Sequence, residues 1–192
     1  MRRKPKFTVL DILTVLLVLG GMLIFHTCFL FATVNGESMS PTINSGDYLL
    51  YLKTKDYTRN DIIAFKYEDK YLVKRVIGIS GDSIKFKDFS VYLNNNLLTE
   101  DYINTDNILY YGSNSVTYIV PSESCYVLGD NRAKSYDSRS FGVVNTSQVV
   151  GKVIFNFSDI SLSCRGTNFL FSCIICLIFW VQVYLYFIRD NK

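Results

Sequence analysis

The sequence predicts a mainly β protein: a membrane-anchored, all-β extracytoplasmic domain flanked by two transmembrane helices. Three observations carry that expectation. Long charge-free apolar runs stand near both ends of the 192-residue chain, basic residues lie on their terminal sides, and short β-rich runs broken by turn residues fill the space between.

The amino end, residues 1–11, carries Arg2, Arg3, Lys4 and Lys6. Ile12 to Ala32 is 21 residues without a charge and Phe169 to Ile188 is 20, each about the length a helix needs to cross a ~30 Å hydrocarbon core. Residues 12–33 and 168–188 are therefore expected to span. A cleavable signal peptide also has a basic start, but its apolar part is ~7–15 residues long, so a retained anchor fits better. Arg189 and Lys192 follow the second run, and the positive-inside tendency then puts residues 1–11 and the 189–192 tail in the cytoplasm. Residues 34–167 would face the exterior. Anchoring is the role expected of the second run, in which Gln182 is a single polar group.

The net charge of +3 comes from the flanks, because Val34 to Thr167 holds 14 Lys and Arg against 15 Asp and Glu. Nothing in that near balance points to a nucleic-acid surface. Of the five cysteines, Cys28, Cys173 and Cys176 fall in the apolar runs, where the Cys173–Cys176 spacing reads as helix packing. Cys125 and Cys164 could pair in an oxidising compartment; a buried thiol is the favoured state of Cys125, which sits in a strand-like run.

In the middle segment, strands are expected at Tyr48–Lys53, Ile62–Tyr67, Tyr71–Ile79, Ser83–Phe86, Val91–Leu93, Tyr118–Val120, Cys125–Leu128 and Val149–Phe157. Gly46-Asp47, Gly81-Asp82, Asn94-Asn95-Asn96 and Gly129-Asp130-Asn131 punctuate them. Asn94 to Asn96 is expected to turn a hairpin, and Thr99 to Ser115 to form an extended loop or small subdomain. The tyrosines are spread over strands and loops, as packing groups of a half-wet sheet.

Ser38 lies six residues beyond the first apolar run, in Gly36-Glu37-Ser38-Met39-Ser40-Pro41-Thr42, and the only histidine, His26, is inside that run. A serine becomes a nucleophile when a base takes its proton. Arg75 does not deprotonate and carboxylates are weak bases toward an alcohol, which leaves lysine. Lys74 stands in Tyr71-Leu72-Val73-Lys74-Arg75-Val76-Ile77-Gly78, where apolar neighbours supply the desolvation that lowers a lysine pKa. A third dense segment, Gly129 to Arg139, gathers charged and hydroxyl residues after an apolar strand. A solvated loop is the ordinary fate of such a segment; a serine in it could instead orient the lysine, with Asp and Arg pairs fixing the loop.

With these segments in order along the chain, the sequence resembles bacterial type I signal peptidase, a membrane-bound serine protease that removes signal peptides from exported proteins. Lys74 to Asp82 and Gly46-Asp47 add to the match, which covers most of Val34 to Asp159. The resemblance implies Ser38 as nucleophile, Lys74 as general base and Ser135 as the group holding the lysine amine. It implies Arg75 paired with Asp130 and Arg139 with Asp137. The backbone N–H of Ser38 would serve the oxyanion. Some members add a serine hydroxyl at the place of Gly36, so a second donor here would be a backbone amide; Gly at this place resembles Gram-positive members, and Ser80 stands where proline is frequent. The substrate would be a signal-peptide-bearing precursor held extended in the bilayer's vicinity, with small residues at −1 and −3; Met39, Ile43 and Val73 are the expected pocket lining. The expected location is the bacterial cell membrane, with the lipid bilayer and precursors as partners, and no metal, cofactor or nucleic acid. Two alternatives stand beside this: a catalytically inactive, membrane-anchored peptide-binding relative, and a self-cleaving serine-lysine regulator, which would carry a DNA-binding segment.

Overall fold

The computed structural model describes residues 9–87, 90–103 and 116–159. The described residues open with helix α1 (Val9–Cys28), which passes without a break into strand β1 (Phe29–Thr33). Residues 9–25 of the helix belong to one unit and His26–Phe157 form a second, β-rich one.

The β-rich unit holds β2 (Tyr48–Leu52), β3 (Ile62–Tyr67), β4 (Lys70–Ile79), β5 (Ser83–Lys87), β6 (Ser90–Leu93), β7 (Asn96–Leu97), β8 (Val116–Ile119), β9 (Ser124–Leu128), β10 (Val144–Asn145) and β11 (Val149–Asn156), with a short helix α2 (Ser138–Phe141) before β10. They make two sheets: one of seven strands in the order β1-β2-β11-β3-β4-β9-β10, and one of four in the order β7-β6-β5-β8. The β3–β4 pair, from Ile62↔Arg75 to Tyr67↔Lys70, is an antiparallel hairpin, and β4 then pairs with β9 on its other side. Strand β4 is thus central in the large sheet. Its last residues are almost wholly buried, and this is the strand that carries Lys74 and Arg75.

Three apolar clusters fill the unit. Ile77, Ile84, Phe86, Val91, Tyr126 and Leu128 join the small sheet to the large one. Ile63, Phe65, Val76, Val127 and Val149 occupy a second cluster, and Met39, Ile43, Leu49, Tyr51 and Ala64 a third, beneath the Ser38 turn. Cys125 is a buried free thiol in the second cluster. Cys164 lies outside the described residues.

The expected 12–33 helix is corrected at its end. Phe29 to Thr33 is strand, aligned Phe29↔Leu52 through Thr33↔Tyr48. Aromatic and β-branched side chains favour that state, and the edge of β2 supplies backbone partners that a continued helix would leave unused. Among the described residues no helix is long and apolar enough to cross a membrane. Asp11 and His26 fall within α1, and the stretch between them, residues 12–25, rises only ~21 Å. The second apolar run, residues 169–188, lies outside the described residues. So does most of the Thr99–Ser115 loop, of which residues 99–103 are described. The Asn94-Asn95 turn joins β6 to β7, both asparagines having positive φ (51° and 66°) as a tight hairpin requires.

Candidate active site

Ser38 sits on a turn held from several directions. Gly36 has φ +126°, a left-handed value that favours glycine, and a Cβ built there would meet nothing within 4 Å. The turn closes through Ser40 N to Glu37 O (3.2 Å) and Ile43 N to Met39 O (2.9 Å), and Ser40 Oγ donates to Asn44 Oδ1 at 2.9 Å. The Gly46-Asp47 element supports it: the Asp47 carboxylate accepts from Asn44 N at 2.9 Å and from Asn156 Nδ2 at 2.9 Å. Met39 and Ile43 are 1% and 2% exposed, so they anchor the turn in the core; their side chains present no surface to a substrate. Val73 is only partly buried against the same cluster.

Lys74 projects from β4, opposite Ile63. The residue is 3% exposed and its amine donates to Ser38 Oγ at 2.7 Å and to Val73 O at 2.8 Å. Burial pushes the amine down to about 8, against the pull of the Asp137 and Asp130 carboxylates, which favour the charged form. A lysine so placed is readily neutral, with its lone pair available to the hydroxyl it already touches.

The segment from Gly129 to Arg139 packs directly against the serine. Asn131 N donates to Ser38 O at 3.0 Å, fixing the Ser38 carbonyl. Arg75 grips Asp130 with two hydrogen bonds, Nε to Oδ1 (2.8 Å) and Nη2 to Oδ2 (2.6 Å), and its Nη1 donates to Asn60 O at 3.1 Å. Asp137 is fully buried: it accepts from Gly129 N at 3.0 Å, caps α2 through Arg139 N, and takes Arg139 Nε and Nη2 at 2.8 Å each. Both ion pairs join charges in bidentate geometry where a lone charge would be costly.

Ser135 occupies a different arrangement from the one expected. Its Oγ is buried with no hydrogen-bond partner, and Lys74 bonds to Ser38 and Val73 instead. A Cβ placed on Gly129 would overlap the Ser135 side chain and the Ser38 carbonyl oxygen, so these three residues are packed as closely as glycine permits. The Asn131 Oδ1 is likewise buried and unpaired.

Some contacts were not legible in the sequence. Lys134 Nζ donates to Glu37 Oε2 at 2.7 Å, tying the residue before Ser38 to the 129–139 loop. Arg132, 1% exposed, pairs with Glu100 from the polar stretch beyond β7. The run of charges in the 129–139 loop was the signal for Lys134 and Arg132; nothing marked Glu100, whose partner is 32 residues away.

Comparison with known proteins places the chain in a family. The family described as signal peptidase, peptidase S26, matches residues 7–158. Signal peptidase IB of Staphylococcus aureus (strain Mu50) is 34% identical over 145 residues, covering 65% of this chain and 75% of the relative. Signal peptidase I V of Bacillus subtilis (strain 168) is 36% identical over 143 residues, covering 67% and 85%. A crystal structure of a signal peptidase I from Enterococcus faecalis V583 is similar at 32% identity and TM-score 0.46, over 52% of this chain and 97% of that one. On the breadth of the family match and on these identities, the chain belongs to the signal peptidase family, peptidase S26.

Proposed function

We propose that the serine endopeptidase reaction of this chain runs through Ser38 as nucleophile and Lys74 as general base. The observation that carries the reading is the buried contact of 2.7 Å between Lys74 Nζ and Ser38 Oγ. Neutral Lys74 takes the hydroxyl proton as Ser38 attacks the scissile carbonyl, then gives it to the leaving amine; water completes the hydrolysis with Lys74 again as base. The backbone N–H of Ser38, which makes no hydrogen bond among the described residues, serves the developing oxyanion. Gly36 offers no hydroxyl, so any second donor is backbone. Ser135 is assigned to the lysine amine: the proton taken from Ser38 gives Nζ a third N–H, and the unpaired Ser135 Oγ, packed with Gly129 and Ser38, is the acceptor assigned to it. Arg75–Asp130 and Arg139–Asp137 hold the 129–139 loop against Ser38.

The substrates are precursors bearing signal peptides, lying extended with small residues at −1 and −3. Val73, the partly exposed member of the expected lining, is the residue we assign to the pocket wall. The chain is anchored in a bacterial cell membrane by the apolar part of α1, from Ile12 to its end at Cys28, and by residues 168–188, with strand β1 and the rest of the β-rich unit outside and both termini in the cytoplasm. For the first anchor, the short apolar centre of α1 is matched by local bilayer thinning, with Asp11 and His26 at the interfaces. Leu30, Phe31, Ile154 and Phe155, exposed on β1 and β11, suit a bilayer surface.

The experiment is precursor processing in membranes by the wild type, Ser38→Ala, Lys74→Ala and Lys74→Arg. All three variants are expected to insert and to lose cleavage. Substantial activity in Lys74→Ala would end the serine-lysine account; an inactive wild type would favour the peptide-binding relative.

A further inference from the structure

Arg132 and Glu100 form an ion pair with almost no access to water, their side chains being 1% and 6% exposed. Arg132 Nη1 donates to Glu100 Oε2 at 2.9 Å, Nη2 meets the other carboxylate oxygen, and Nε donates to Gly129 O at 3.1 Å. Glu100 is itself fixed by the Tyr102 hydroxyl, which donates to Oε1 at 2.8 Å. The Tyr102 ring lies 3.9 Å from the Arg75 guanidinium, in cation–π geometry, while Arg75 holds Asp130.

Two residues of one short segment thus brace both arginines that order the 129–132 turn. That turn is continuous with the site: Asn131 N binds Ser38 O, Gly129 packs on Ser135 and Ser38, and Arg139 Nη2 binds Arg132 O at 2.7 Å. A guanidinium this deeply enclosed needs an anionic partner, because an unpaired buried charge is strongly unfavourable. The order of the turn therefore depends on where Glu100 is.

We propose that Glu100 and Tyr102 are positioning residues for the Ser38–Lys74 site, acting through Arg132 and Arg75 to keep the 129–132 turn in register with the nucleophile. The inference rests on the roles proposed for Ser38 and Lys74. It makes the segment after β7 part of the catalytic apparatus without touching substrate.

The test uses the full chain in lipid vesicles with a signal-peptide-bearing precursor. Glu100→Gln keeps the shape and removes the charge; it is expected to lower kcat on the order of 10²-fold, the loss a displacement of about 1 Å can cause, with KM held within about twofold. Tyr102→Phe keeps the ring over Arg75 and is expected to lose less than Tyr102→Leu. Adding Arg132→Met to Glu100→Gln removes the stranded charge, so the double variant is expected to be no slower than Glu100→Gln alone. Melting curves separate folded from unfolded enzyme. Wild-type kcat per folded molecule in both Glu100→Gln and Tyr102→Leu would overturn the proposal, as would losses that appear only as a smaller folded fraction. Activity retained in Lys74→Ala, assayed alongside, would instead overturn the parent reading.

Discussion

Lys74 and Ser38, 36 residues apart in the chain, meet at 2.7 Å, where strand β4 and the turn before β2 both pack on one cluster, β4 through Val73 and the turn through Met39 and Ile43. Lys74 reaches the hydroxyl from a position almost without solvent, and that burial lowers its pKa toward the range the proposed base needs. The same contact sets the expected behaviour of the enzyme with pH.

Activity should rise with pH through about 8, where Lys74 loses its proton. Below that value the rate should fall about tenfold per pH unit, in step with the neutral fraction. A rate constant from pH 6 to 9 would contradict a titrating lysine. Stability has its own sign. Between about 8 and 10.5 the unfolded chain holds the lysine proton and the folded chain does not, so this group makes stability rise with pH across that window. Lys74→Met should remove that rise and be more stable than the wild type near pH 7, as measured by denaturant unfolding.

Gly129→Ala should lower kcat on the order of 10²-fold, since the added Cβ must displace Ser135 or the Ser38 carbonyl. Processing assays read the loss; an active Gly129→Ala would mean that the close packing of these three residues has no bearing on catalysis.

Arg75→Ala should destabilise the fold by about 3–5 kcal/mol, because it leaves the wholly buried Asp130 carboxylate without its partner. The double variant Arg75→Met with Asp130→Leu should recover much of that loss in a urea titration while leaving processing impaired.

Ser135→Ala separates stability from catalysis. The Ser135 hydroxyl makes no hydrogen bond in the resting site, so its removal should leave the melting temperature at or above the wild-type value. If the hydroxyl holds the lysine amine during turnover, kcat should nonetheless fall about tenfold, the value of a hydrogen bond of about 1 kcal/mol or slightly more. Unchanged kcat would remove Ser135 from the mechanism.

The sequence by itself determined the mainly β class, the Ser38 turn and Lys74, for local reasons. Ile62 to Tyr67 and the runs around Lys74 and Cys125 carry strand-forming side chains between clear turn residues, and the lack of any histidine beyond His26 directs the search for a base to lysine. Only the tertiary structure decided what depends on contacts distant in sequence. Phe29 to Thr33 has the composition of a membrane run, and its strand state comes from the free edge of β2. Met39 and Ile43 looked like pocket lining but are spent in the core under Ser38, because the turn folds back on Leu49 and Tyr51. The pairing of Arg132 with Glu100 has no local signature, since it arises from the close approach of two loops whose charges attract strongly only after water has been excluded.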